Sequence, residues 1–288
     1  MIGPSHDTLI IAPGKEDIYF TALENITAKI MSLDPQMINS VDKEEETSRL
    51  LSFADTVGVV EIKGALTNDD SFWNRYFGMV SYNEIREASL QALDAGVGAI
   101  VYDYSTPGGS AEGALDTADF ISNIDIPTIT FTSSQMASGG YLLGSQSDYI
   151  YADPFADVGS IGVIVRIVDR SKQYKDAGIA VRRFRSGKLK AVGDPAFKLT
   201  SEEEKYIEEK VKVLTDIFFA TVSDSRGLSL PQMEALEITT GRTFIGEQSL
   251  KAGLVDKITS FDKTMLKAYE LAAKTIDKRS NSGLIYSS

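Results

Sequence analysis

A chain of 288 residues with 43% hydrophobic content is long enough for one large or two modest domains around a substantial core. Its net charge of −12, with Lys and Arg interleaved among Asp and Glu, argues against a generic nucleic-acid partner, because phosphate binding needs clustered cations. With no cysteine and a single histidine, His6, disulfides, thiolate chemistry and His-rich metal sites are excluded, and no cofactor is expected.

Residues 1–54 read as an N-terminal helical arm, with a Gly/Pro-punctuated start, a helical pattern from Tyr19 to Leu33 and an acidic patch from Asp42 to Glu46. No apolar run approaches the roughly 18 residues that span a bilayer. The start also lacks a basic region followed by a long apolar one, so neither export nor a membrane anchor is expected. From Thr56 the pattern changes to alternating strands and helices. Val57 to Ile62 predicts a strand, and Ser81 to Leu93 a helix with Ile85, Ala88, Leu90 and Leu93 at helical spacing. Ala99 to Tyr104 predicts a second strand, ending at Thr106-Pro107-Gly108-Gly109. Ala114 to Ile121 then reads as a helix and Thr128 to Thr132 as a third strand. Ser138 follows within Ala137-Ser138-Gly139-Gly140-Tyr141, and Tyr141 to Ser145 can continue as a helix. Tyr149 to Ala152 and Gly162 to Val168 predict further strands, and Ser171 to Ala177 a helix. This alternation predicts an α/β fold, a largely parallel sheet with flanking helices, over 55–260. Chemistry would sit at the carboxyl ends of its strands.

The last third is helical. Thr200 with Glu203 forms a capping box ahead of the stripe Ile207, Val211, Leu214 and Phe218, which stops at Arg226-Gly227. Ser229 begins a short helix. A C-terminal region, 261–288, carries a third helix over 262–277 and a polar tail from Arg279.

A serine at a strand-to-helix turn, facing a glycine turn rich in backbone amides, is the layout of a nucleophile opposite an oxyanion hole. A serine hydroxyl needs a base, and His6 lies in an irregular terminal segment where a surface role fits it better. What remains is a lysine whose charged form is disfavoured by burial, which lowers its pKa from about 10.4 by several units. Lys188 and Lys190, within Ser186 to Pro195, are the candidates. In an extended segment both point the same way, so alternation cannot separate them, although Lys190 is nearer the apolar Ala191-Val192-Gly193. Taken singly, each feature also has a plain structural meaning: Ser138 as a helix N-cap, Ser160 as a turn residue, Gly108-Gly109 as a tight turn, the lysines as a solvated pair.

Five motifs in order carry a resemblance: Asp103 to Gly109, Ala137 to Tyr141, Gly159 to Val163, Gly187 to Pro195, and Gly241 to Gly246 continuing through Ala252 to Asp256. Together they resemble the signal peptide peptidase A family of serine peptidases over roughly residues 55–260. The resemblance implies a ClpP/crotonase-like fold and a Ser-Lys dyad, with Ser138 as nucleophile, Lys190 as base and Ser160 orienting the lysine. It implies oxyanion donors in the Gly108-Gly109 turn, chiefly Gly109, and at Gly139. Thr106 stands where serine is commoner in the family; with the backbone supplying the donors, the change should matter little. It further implies an extended peptide substrate with small or aliphatic residues before the cut, and a ring-shaped homo-oligomer.

Within that family, membrane-anchored members degrade signal peptides, and phage members act in the prohead as capsid maturation proteases. The absent anchor and the Lys190 to Pro195 loop resemble the phage kind. That predicts a scaffold or capsid protein as substrate, no nucleic-acid or membrane partner, and a location in the host cytoplasm or prohead interior. A soluble cellular peptidase of the bacterial cytoplasm is the alternative. Outside peptidases, a crotonase-type acyl-CoA enzyme would need glutamates near the glycine turn, where only Glu112 stands, and a non-catalytic assembly protein could retain the fold.

Overall fold

The computed structural model of the chain describes residues 8–11, 15, 21 and 48–284. His6, nearly all of the helical pattern of 19–33 and the acidic patch of 42–46 lie outside the described residues. Strand β1 (Thr8–Ile11) comes first, and the antiparallel pair β2 (Leu51–Ala54) and β3 (Val57–Lys63) is the next described sheet element. β4 (Leu66–Thr67), the short helix α1 (Phe72–Tyr76) and β5 (Val80–Ser81) lead into α2 (Tyr82–Asp94). Ser81 starts α2 with a full capping box to Glu84. The buried stripe of α2 runs through Tyr82, Ile85, Ala88, Ser89 and Ala92, whereas Leu90 is half exposed on the outer face. Helical spacing alone had placed Leu90 inside.

β6 (Ala99–Thr106), β7 (Gly108–Ser110), α3 (Ala114–Ser122), β8 (Thr128–Ala137), α4 (Gly139–Gly144), β9 (Tyr149–Ala152) and β10 (Asp157–Gly159) complete the core of the fold. The larger sheet has eight strands and runs parallel from β3 through β6 and β8 to β10, with β9 also parallel to β8. It is therefore the largely parallel sheet that the alternation predicts. Both faces are covered, as parallel strands require. Along β6, Ile100, Tyr102 and Tyr104 enter the main core with residues of α2, α3 and α4, while Ala99 and Val101 turn to the opposite side.

The remaining elements are β11 (Ile164–Val165), α5 (Ser171–Asp176), α6 (Ser201–Arg226), α7 (Leu230–Ala235), β12 (Thr243–Ile245), α8 (Glu247–Lys251), β13 (Lys257–Ile258) and α9 (Phe261–Leu284). The strand expected over Gly162 to Val168 shortens to β11. Only Ile164 and Val165 find a ladder partner, in β1. α6 begins with the predicted capping box at Thr200 and ends with Gly227 in the left-handed conformation. α9 covers the second face of the sheet, with Met265, Ala268, Leu271 and Ala272 against Val59, Val101, Ile129 and Phe131. It continues beyond the predicted stop, through Arg279, whose guanidinium donates to the Val97 carbonyl at 3.3 Å. Polar composition there marks a solvated face of the helix, not its end.

β8 decides where chemistry can occur. Its first half pairs with β9 and its second half with β10, while its register against β6 slips between Thr132 and Met136. The irregularity bends β8 away from β9 and delivers its carboxyl end, followed by Ser138, beside β10.

Candidate active site

Ala137 and Gly159 are Cα partners, so the serines that follow them, Ser138 and Ser160, leave the sheet side by side. Both turn sharply: φ is 52° at Ser138 and 54° at Ser160, a left-handed conformation that costs a residue with a side chain roughly 1–3 kcal/mol. At Ser138 a ψ of −117° completes a strand-to-helix elbow. The elbow is held by the Ser138 amide donating to the Gly159 carbonyl at 2.7 Å and the Leu142 amide donating to the Ser138 carbonyl at 2.9 Å. Ser138 occupies the N-cap position of α4, yet its hydroxyl makes no capping bond and donates toward the Gly162 carbonyl at 3.5 Å. A capping serine adopts extended backbone and binds an amide of the first turn. Capping therefore does not account for Ser138.

Gly139 and Gly140 open α4, and the first amides of a helix have no acceptor within it. Gly140 is small for a further reason, since a Cβ there would lie 2.3 Å from Thr106 Cγ2. Thr106 is fully buried, and its Oγ1 accepts from the Gly108 amide at 3.1 Å, which orients the methyl toward Gly140. Thr106 thus engages one glycine amide and closes the space over another glycine. Gly140→Ala is expected to destabilise the chain by about 1–3 kcal/mol through overpacking. Thr106→Ser, which keeps the oxygen and removes the methyl, should recover most of that loss in the double variant. Thermal melts of the four chains check this, and strictly additive losses would contradict the contact.

The glycine turn is less open than its sequence suggests. Gly108–Ser110 forms β7, flanked by β4 on one side and β1 on the other. A Cβ on Gly109 would sit 1.9 Å from the Leu66 carbonyl oxygen, so only glycine allows β4 and β7 to approach this closely. Of the two amides expected to face an oxyanion, that of Gly108 is already engaged by Thr106. Glu112 is exposed in the turn after β7.

The lysine segment is not extended. The Lys190 amide donates to the Gly187 carbonyl at 3.2 Å and the Val192 amide to the Leu189 carbonyl at 3.3 Å, so the segment folds as successive turns. Lys188 Nζ lies 3.3 Å from a carboxylate oxygen of Glu202, with both groups well exposed. The Lys190 side chain is exposed and makes no hydrogen bond or ion pair among the described residues. The desolvated setting expected for a base is absent in this arrangement, and the structure does not bring Lys190 to Ser138.

Sequence reasoning also missed how this loop is held. Arg183 donates to the Ala191 carbonyl at 3.2 Å and lies 3.8 Å from Glu203 Oε1, while Arg185 donates to that oxygen at 2.9 Å and to the Lys188 carbonyl. Glu203 is only 2% exposed. The Thr200 amide, helped by the Thr200 hydroxyl and Arg185, holds its carboxyl below the usual glutamate range despite burial. The capping box marked Glu203 as a helix-start residue, and nothing in that signal announces a second set of partners.

The model of peptidase family S49 matches residues 121–275, more than half of the chain, and takes in Ser138, Ser160 and the lysine loop. The chain belongs to peptidase family S49. Among the chain's relatives, a protein of Enterococcus faecium that carries the signal peptide peptidase name SppA is 34% identical over 169 residues, 57% of this chain and 48% of that one. Capsid assembly protease C of Escherichia phage lambda is 25% identical over 273 residues, 88% of this chain and 61% of that one. The S49 chain described here thus spans about half to three-fifths of the length of these relatives. A solved structure, a mutant of the 1510-N membrane-bound stomatin-specific protease, is similar at a TM-score of 0.44 and 19% identity, over 73% of this chain and 82% of that one. No helix among the described residues of this S49 chain is long and apolar enough to cross a membrane.

Proposed function

We propose that this S49 chain is a serine endopeptidase in which Ser138 is the nucleophile and Lys190 the general base. The observation that carries the reading is the elbow at Ser138. A buried, strained serine that caps nothing stands at the carboxyl end of a parallel strand, in a chain with no cysteine and one histidine. Strain of this kind persists where the surrounding structure imposes it, as at sites that must aim a side chain. Ser138 Oγ attacks the peptide carbonyl carbon, and its proton passes to the neutral amine of Lys190, oriented by Ser160. The amides of Gly109 and Gly139 stabilise the tetrahedral oxyanion. The lysine then protonates the leaving amine, and water, deprotonated by the same lysine, releases the acyl group. Lys190 reaches Ser138 by closure of its loop over the site.

For the substrate, we favour scaffold or capsid proteins of a phage head, cut inside a ring of identical subunits. The alignment with the lambda capsid assembly protease runs over 88% of the chain, whereas the match to the SppA protein covers 57%. The higher identity of that shorter match, 34%, supports a cellular peptidase as the second reading. Full-length chain treated with a fluorophosphonate should carry the adduct on Ser138, located by peptide mass mapping. Purified scaffold and major capsid proteins should be cut where synthetic signal peptides are not. No adduct on Ser138 would remove the nucleophile assignment, and the reverse substrate preference would favour the cellular reading.

A further inference from the structure

The smaller sheet runs β11-β1-β7-β4-β5, and its second strand, β1, lies between two strands that come far later in the sequence. β1 is antiparallel to both neighbours, with Leu9, Ile10 and Ile11 opposite Ser110, Gly109 and Gly108, and Thr8 and Leu9 opposite Val165 and Ile164. Those neighbours are the two strands tied to the site. β7 contains the glycine pair, and β11 follows Ser160 by a few residues. Without β1 they would face each other across a gap one strand wide. Two strand edges separated in this way bind an extended peptide through main-chain hydrogen bonds.

The direction of β1 also fits. Because Ile11 lies opposite Gly108, β1 runs toward the Thr106 end of β7, where Thr106 pairs with Met136 of β8 and closes over Gly140, next to Ser138. Ile11 is 3% exposed and lines a cavity of about 410 Å³ together with Ser160, Gly162, Thr215 and Phe219. Gly162 is the residue whose carbonyl faces Ser138 Oγ. Ser138 itself has no exposed surface.

We infer that Thr8–Ile11 is a resident peptide lying in the substrate groove, so that the chain occupies its own site until this strand leaves. The groove accordingly selects an extended segment with an aliphatic side chain at the Ile11 position. Calling the groove a substrate site rests on Ser138 being the nucleophile; its occupancy by β1 does not.

The absence of native cysteine allows a test in the full-length chain. In a Leu9→Cys/Ile164→Cys chain, the two positions are Cα partners and only this disulfide can form within one chain, non-reducing electrophoresis setting aside any cross-linked between chains. Oxidised, the chain should react with a fluorophosphonate at Ser138 roughly tenfold or more slowly than when reduced, as expected if reaction requires the strand to leave. Ile10→Pro removes a strand amide and should speed labelling relative to the unaltered chain. In a Ser138→Ala background, a fluorescent peptide of residues 5–14 should bind the Ile10→Pro chain and not the unaltered one. Its Ile11→Asp version should bind neither. Equal labelling of oxidised and reduced chains, or an Ile10→Pro chain that loses thermal stability without gaining labelling or peptide binding, would make β1 an ordinary structural strand and overturn the inference. Peptide binding with no Ser138 adduct in any chain would instead retain the groove and remove the nucleophile.

Discussion

Replacing Ser138 by glycine is expected to give a folded chain that melts at a higher temperature and has no peptidase activity. The backbone at 138, with φ 52° and ψ −117°, strains any residue with a Cβ, by roughly 1–3 kcal/mol. Glycine enters this region without the clash, although its freer unfolded chain offsets part of the gain. A net gain of about 1 kcal/mol would raise the melting temperature by about 2–4 °C for a domain of this size. Activity should fall by roughly 10⁴ to 10⁶-fold, the range seen when a serine nucleophile is lost. Ser138→Ala should lose the same activity with no gain in stability, because alanine keeps the strained Cβ. Calorimetry and a peptide hydrolysis assay on both variants separate the two effects. A Ser138→Gly chain that is less stable would mean that the elbow holds the serine for a structural reason, and an active Ser138→Ala would end the proposed function.

Lys190→Ala should lower turnover by roughly 10² to 10⁴-fold, the usual contribution of a general base, and leave folding unchanged because the side chain is exposed. Lys188→Ala should be near wild type, since its partner Glu202 is an exposed carboxylate and such pairs contribute about 0–1 kcal/mol. A chain free of cysteine permits a sharper control: Lys190→Cys alkylated with bromoethylamine rebuilds an amine at the same reach and should restore activity. A merely structural lysine would not require that nitrogen. The loop carrying Lys190 is anchored through Arg183 and Arg185 to Glu203, whose carboxyl is held low chiefly by the Thr200 amide. A lowered folded-state value means that this anchor contributes fully above the unfolded glutamate value of about 4.3 and is lost as pH falls through the folded one. Acid should therefore release the loop at a pH below that of ordinary glutamate titration. If Lys188→Ala abolished turnover and Lys190→Ala did not, the base would move to Lys188.

Local rules read most of the scaffold. The capping box at Thr200 set one helix start, helical spacing after Ser81 set α2, and short apolar runs set β3 and β6, because each is a short-range property of a few side chains. Strands of two or three residues, such as β4, β7, β10 and β12, were invisible; nothing in so short a run distinguishes a strand until a partner edge lies beside it. Leu90 was misplaced because four apolar residues define a stripe only when one knows which side of the helix meets the sheet.

The candidate site divides along the same line. That the proposed nucleophile is a serine, and that no cysteine competes with it, follows from composition and motif order, which survive any arrangement of the chain. Whether that serine is strained, whether Gly108 has a free amide, and where Lys190 stands are relations between segments distant in sequence. Thr106 gained its two contacts, and β1 its place between β7 and β11, only because parallel strands brought their carboxyl ends together. Composition and local patterning chose the kind of chemistry. Long-range strand pairing, which no local rule encodes, decided the orientation of Ser138, the engagement of the Gly108 amide, and the place of β1 between β7 and β11.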